Sequence, residues 1–129
     1  MNRFGRWVLV AVALAGASGC SDSGPVAGML TVSLTTPNPG ADGGILFSVT
    51  GPQALTSVSA GAGLRVFSQP LSTTTKLAVT GPLASGAIIF MGVADVRQVA
   101  QYAATIQAVS ASADFQLRPL AGYALMVSR

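Results

Sequence analysis

The stretch MLTVSLT, residues 29–35, alternates aliphatic and hydroxyl side chains at every position after its methionine. A period of two places every second side chain on the same face of a β-strand, so this stretch predicts a strand with one buried face. The aliphatic residues of that face are Leu30, Val32 and Leu34. Residues 36–44, with two prolines and three glycines, follow as a loop that would break any regular element.

The same pattern continues to residue 129. Short alternating or apolar runs are separated by Gly and Pro turns, and they predict strands at 45–50, 55–60, 64–67, 76–80, 86–93, 105–109, 114–118 and 123–127. The run GAIIFMGV, residues 86–93, is apolar at both parities, which predicts a central strand buried on two faces.

One short helix is predicted among these strands. Asp95 stands three residues before Gln98, the spacing of a capping box, and apolar residues at helical spacing follow over 96–103. About eight short strands with one helix indicate an all-β fold, an antiparallel β-sandwich. Over most of residues 29–129 the strand rhythm resembles that of Ig-like and cohesin-like bacterial surface modules, but the Cys, Trp and Cys core of true Ig domains is missing.

The residues before the first strand follow the sequence pattern of a secretory signal peptide. Arg3 and Arg6 precede an apolar run, which ends in small residues and Cys20. The uninterrupted apolar run is only eleven residues long, whereas a bilayer-spanning helix needs about 20. A cleaved signal peptide is therefore expected rather than an uncleaved anchor.

The tetrapeptide Ala-Ser-Gly-Cys, residues 17–20, resembles the lipobox of bacterial lipoproteins. The resemblance implies cleavage between Gly19 and Cys20, a diacylglyceryl group on the sulfur of Cys20, and an acyl chain such as palmitate on the new amino terminus. Ser21 after the cysteine resembles lipoproteins that diderm bacteria forward to the outer membrane, so we expect a lipid anchor in the cell membrane or outer membrane. Small residues at 17 and 19 also fit cleavage of a soluble secreted protein, which stays open as an alternative.

This interpretation divides the chain into a signal peptide at 1–19, a lipidated Cys20 with a tether at 20–28, and a sandwich domain at 29–129. Residues 20–129 carry five basic and four acidic side chains, for a net charge of +1. The basic residues are scattered singly, whereas nucleic-acid binding needs them clustered. No nucleic-acid partner is therefore expected.

Catalytic chemistry is limited by the residue types that the chain lacks. It contains no histidine and a single cysteine, so it has no Ser-His-Asp triad and no thiol or imidazole ligand set for zinc. The four aspartates are at least nineteen positions apart, which excludes a local calcium-binding loop. We expect no enzyme activity, metal or cofactor; the alternative is a hydrolase-like enzyme with an unrecognised site.

One segment is a near match to a catalytic motif. Thr73-Thr74-Thr75-Lys76 differs from the Ser-x-x-Lys signature of penicillin-recognising enzymes in having threonine as its first residue. The motif belongs at a helix start, and a strand is predicted here. The simpler interpretation is a solvated lysine that discourages pairing at a sheet edge.

The weak binding candidates are Tyr102, with Arg97 and Gln101 nearby, and Tyr123. An exposed aromatic ring could stack on a sugar, but both tyrosines also suit core positions with the hydroxyl at the edge. The loop at 36–44 is a further candidate, because sandwiches often place recognition on loops. The function expected from the sequence is a lipid-anchored cell-envelope protein with a binding or structural module for a protein or glycan partner.

Overall fold

The computed structural model describes residues 24–129, which form two four-stranded antiparallel sheets packed face to face. The predicted all-β sandwich is therefore confirmed, while Gly19 and Cys20 lie outside the described residues. Sheet A has the strand order β3-β6-β1-β8, and sheet B has the order β4-β5-β2-β7. The elements are β1 (Gly28–Thr35), β2 (Asp42–Thr50), β3 (Ser57–Ala60), β4 (Arg65–Leu71), β5 (Thr74–Leu83), β6 (Gly86–Val93), a 3₁₀ helix (Val96–Gln101), β7 (Ala103–Ala111) and β8 (Ala124–Ser128).

The core lies between the two sheets and follows the alternation of the sequence. Leu30, Val32 and Leu34 of β1 are buried, and Phe47 and Val49 of β2 are buried on the facing sheet. Each such side chain contributes about 1.5–3 kcal/mol when it is fully removed from water. Period-two patterning therefore decides which face of each strand turns inward.

Strand β6 differs from its sequence prediction. It is an interior strand, as predicted, but its outer face is only partly covered: Gly92 is buried against Thr56 and Ser57, whereas Phe90 on the same face is 36% exposed. Ile88 and Ile89 are both buried although they are consecutive, because the register between β1 and β6 shifts at Val32 and Ser33. The extra residue is a β-bulge, which turns two neighbouring side chains inward. The apolar run thus reflects a bulge, and the prediction of burial on two faces is wrong.

Residues 114–118, predicted as a strand, belong to the connection between β7 and β8. Only one isolated bridge joins Leu117 to Ser110 of β7. Phe115 has a φ of 59°, in the left-handed region, so the chain cannot stay extended through it. Residues 116–118, called the strap below, therefore lie along the end of β7 without forming a ninth strand.

The connections between strands gather at the two ends of the sandwich. The N-terminal end is formed by residues 24–27, 51–56, 72–73 and 94–102, and the opposite end by residues 36–41, 61–64, 84–85 and 112–123. Asp95 caps the helix at the N-terminal end, as its spacing predicted, by accepting a hydrogen bond from the backbone N–H of Arg97 at 3.0 Å. The helix is of the 3₁₀ type and ends at Gln101, two residues earlier than predicted. Within residues 24–129, no helical segment reaches the length and hydrophobicity that crossing a bilayer requires.

The last residues of the predicted tether are part of the folded domain. The backbone N–H of Val26 donates to Asp95 Oδ1 at 3.3 Å, and the backbone N–H of Val96 donates to the Val26 carbonyl at 2.8 Å. Strand β1 begins at Gly28, one residue before the predicted domain boundary. The chain is therefore held to the sandwich from Val26 onward.

Candidate docking surface

Tyr102, a binding candidate from the sequence, lies in the core. Its ring packs so closely on the backbone of Gly51 that a Cβ atom there would overlap it. Its hydroxyl is buried and has no hydrogen-bond partner among the described residues. Burial, followed by the charge of Asp95, raises the pKa of Tyr102. The ring is therefore not exposed to stack on a sugar.

Arg97 and Gln101, the neighbours of Tyr102 in sequence, do not converge with it on one surface. Arg97 is held by the carboxylate of Asp95, with Nε to Oδ1 at 3.1 Å and one terminal nitrogen to Oδ2 at 3.2 Å. Hydrogen bonding from the Arg97 side chain lowers the pKa of Asp95 to about 2, and the pair raises the pKa of Arg97. Gln101 is exposed at the end of the helix.

The loop at 36–44 and Tyr123 meet in a polar cluster at the opposite end, called the Asp42 cluster below. Asp42 is 0% exposed and accepts hydrogen bonds from Arg118 Nε at 2.7 Å, the Tyr123 hydroxyl at 2.9 Å and Thr36 Oγ1 at 2.5 Å. Asn38 Nδ2 donates to the Tyr123 hydroxyl at 2.9 Å. Sequence reasoning missed this cluster, because its carboxylate and guanidinium are 76 positions apart.

The Thr-Thr-Thr-Lys segment begins β5, with Thr75 buried and Lys76 exposed on the outer face of sheet B. Strand β5 lies between β4 and β2, so Lys76 does not protect a sheet edge and that prediction is wrong. A Ser-x-x-Lys site belongs at a helix start, and here the residues occupy a strand.

The outer face of sheet B carries a row of apolar residues from four neighbouring strands. Phe67 pairs with Ala78, Ala78 with Leu46, and Leu46 with Ala108, so these side chains form one line perpendicular to the strands. Leu117 of the strap lies beyond β7 opposite Ser110, two residues along the strand from Ala108, and ends the row with a step of about 7 Å. We call these five residues the apolar stripe; at about 4.8 Å per strand spacing it is about 19 Å long.

The alanines of the stripe form the floors of two shallow hollows. One hollow of about 250 Å³ lies over Ala78 between Phe67 and Leu46. The other, of about 200 Å³, extends from Ala78 past Leu46 to Ala108 and Leu117. The two hollows therefore adjoin, and Ala78 and Ala108 on their floors are two strand spacings apart, about 10 Å. Leu46 is a ridge between them.

Charge on this face has one sign. Arg65 and Lys76 stand on either side of the stripe next to the first hollow, and neither forms an ion pair within residues 24–129. Hydroxyl residues flank the stripe along its length, namely Ser48, Thr80, Thr105 and Ser110. The face offers aliphatic contact, hydroxyl groups and two cations, which suits binding.

No family model matches the chain, and neither a curated protein nor a solved structure is significantly similar to it. The apolar stripe is accordingly the strongest indication of function in residues 24–129. No short sequence window shows it, because its residues come from four strands and the strap.

Proposed function

We propose that this protein is a lipid-anchored, non-enzymatic cell-envelope module that docks an amphipathic helix of a protein partner on the apolar stripe. The anchor is supported by the lipobox pattern that ends in Cys20. Because the chain is held from Val26 onward, the tether spans six residue steps, or about 20 Å when extended. The sandwich would therefore stay close to its membrane.

The spacing of the two alanines on the floors of the hollows favours a helix as the occupant. Two turns of an α-helix advance 10.8 Å, so side chains at i and i+7 are separated by about the distance between Ala78 and Ala108. Large apolar residues at these positions would enter the two hollows, while a small residue at i+3 or i+4 would lie over Leu46. Since the stripe crosses the strands, the helix axis would lie roughly perpendicular to them.

Charge complementarity defines the partner further. Arg65 and Lys76 stand on either side of the stripe and form no ion pair within residues 24–129, so acidic side chains near position i would be attracted there. Two copies of this chain docked through the stripe would bring like charges together. A different, acidic protein segment therefore fits better than a second copy.

A protein also fits better than a glycan. Sugar sites on sandwiches use exposed aromatic platforms, and here Tyr102 is buried while the Tyr123 hydroxyl is occupied by the Asp42 cluster. Phe67 and Phe90, both exposed, stand on opposite sheets. Phe115 is exposed in the connection between β7 and β8, and within residues 24–129 none of these three rings is paired with a second ring to form a platform.

The proposal is tested by photo-crosslinking in the native envelope, with p-benzoylphenylalanine incorporated in place of Phe67. Position 90 is the matched control, because Phe90 is an exposed phenylalanine on the other sheet. We expect a discrete adduct from position 67 and none from position 90. The crosslinked peptide should be an amphipathic helix with large apolar residues seven positions apart and acidic neighbours.

The variant Leu46→Asp should abolish that adduct, because it places a charge on the ridge between the hollows. Leu46 is largely outside the core, so the melting temperature should change little. Equal adducts at positions 67 and 90, or a crosslinked peptide without the apolar spacing, would contradict the proposed docking mode.

The contribution of Phe67 to the affinity follows from the exposed fraction of its side chain. Phe67 is 59% exposed, and full burial of such a side chain contributes about 1.5–3 kcal/mol, so docking would gain roughly 1–2 kcal/mol from it. Phe67→Ala should weaken the Kd for the identified helix by about 5- to 30-fold. Phe90→Ala should leave it unchanged.

A further inference from the structure

We propose that Leu117 determines the specificity of the second hollow and that Arg118 and Asp42 are positioning residues that hold it there. This inference rests on the proposed docking of a helix and assigns a role to the strap, which lies outside both sheets. Leu117 is 74% exposed, although the strap that carries it is firmly attached.

The strap is fixed to β7 through its backbone. The N–H of Ala111 donates to the Gln116 carbonyl at 2.9 Å, and the N–H of Arg118 donates to the Val109 carbonyl at 2.8 Å. These bonds place Leu117 beside Ser110, at the open side of the second hollow. Its side chain is the end wall of that hollow.

The Asp42 cluster fixes the direction in which the strap faces. In an extended segment consecutive side chains point to opposite sides. Arg118 points inward, where Nε donates to Asp42 at 2.7 Å and a terminal nitrogen donates to the Ala41 carbonyl at 3.2 Å. Leu117 is therefore turned outward over the face of sheet B. Holding Arg118 in place thus holds the end wall in place.

A role in positioning explains why a charge is buried at this site. A buried ion pair stabilises a protein little more than well-packed apolar residues would, because both ions lose their hydration. The Asp42 cluster instead gives one conformation to a twelve-residue connection, residues 112–123, that is otherwise attached by few backbone bonds. A preformed wall spares the partner the cost of ordering that connection when it binds.

Phe115, in the same connection, is a natural control. It is as exposed as Leu117, but it lines a different hollow, with Gly40, Gly81 and Pro82, at the same end of the sandwich as the strap and outside the stripe. A substitution there alters an exposed apolar side chain of the same loop without touching the stripe.

The experiment places the photo-crosslinker at position 117 or 115 of the full chain and compares the adducts with the one from position 67. We expect position 117 to capture the same partner as position 67, at a site about 13 residues further along its helix because the two positions are about 19 Å apart. Position 115 should give no adduct. Leu117→Ser should reduce the adduct from position 67 at least threefold, and Phe115→Ser should not.

Arg118→Met tests the positioning role. The adduct from position 117 should disappear while the one from position 67 persists at lower yield, and Arg118→Lys should restore part of it. Loss of both adducts together with a collapsed melting transition would indicate a merely structural arginine and overturn the positioning role. In the otherwise wild-type chain, an adduct at position 67 with none at position 117 would overturn the inference and leave the proposed function standing. Absence of both adducts in the folded wild type would contradict both this inference and the proposed docking function.

Discussion

The buried ion pair between Asp42 and Arg118 leads to an unequal effect of its two single substitutions. Arg118→Met leaves a carboxylate that is 0% exposed without its cation, while Asp42→Asn leaves a guanidinium whose side chain is 26% exposed and can turn toward water. The remaining charge therefore lowers the stability of the first variant strongly, because it stays buried, and that of the second only slightly, because it can be hydrated. Arg118→Met should therefore be the more destabilising change.

The magnitudes follow from the contacts. Removing one partner of a buried pair costs about 3–5 kcal/mol, and we expect the lower end, about 3 kcal/mol, for Arg118→Met because the vacated space adjoins solvent. Asp42→Asn keeps an oxygen that accepts from Tyr123 and Arg118, but its amide nitrogen faces the Thr36 hydroxyl, which must then accept instead of donate. With the loss of charge assistance, this costs about 1–2 kcal/mol. The double variant should cost about 2 kcal/mol less than the sum of the two.

The assay is equilibrium unfolding in urea, which leaves ion pairs unscreened, on protein carrying Cys20→Ser. In a parallel thermal melt, a loss of 3 kcal/mol should lower the melting temperature by roughly 12–24 °C for a domain of this size. An equal or greater loss from Asp42→Asn, or additive effects in the double variant, would refute the reasoning that the two buried charges are coupled and unequally exposed.

Three further effects follow from single contacts. Tyr102→Phe removes a buried hydroxyl without a described partner and should stabilise the protein by up to about 1 kcal/mol, whereas Tyr123→Phe loses a hydrogen bond to Asp42 and should destabilise it by about 1–3 kcal/mol; chemical unfolding of both measures the contrast. The pKa of Asp95 is lowered from 3.8 to about 2, so its contribution to folding stability is present above pH 4 and lost as the pH falls toward 2. The stability difference between wild type and Asp95→Asn should shrink over that interval. A constant difference would refute this. Gly51→Ala should displace the Tyr102 ring and cost about 1–3 kcal/mol, visible as a lower melting temperature.

Local pattern was sufficient to predict most of the strands. Leu30, Val32 and Leu34 alternate without interruption, and the burial of β1 follows that alternation residue by residue. The cap at Asp95 was also predictable, because a capping residue acts on N–H groups only two or three positions away.

The features that could not be predicted depend on long-range register. The bulge that buries both Ile88 and Ile89 exists only in relation to β1. The chain leaves the extended conformation at Phe115, so residues 114–118 do not form one continuous strand. The stripe and the Asp42 cluster are likewise assembled from residues that are far apart in sequence. Their formation depends on how β4, β5, β2 and β7 align, which no single window of sequence contains.

The most direct test of the anchored module is the intact mass and membrane fractionation of the native protein beside a Cys20→Ala variant, both produced in a diderm bacterium. We expect the wild type to lose residues 1–19, to gain the mass of lipid and to sediment with membranes, while the variant does neither. If both proteins are soluble and carry no lipid, Cys20 is not an anchor and the membrane-bound account is contradicted.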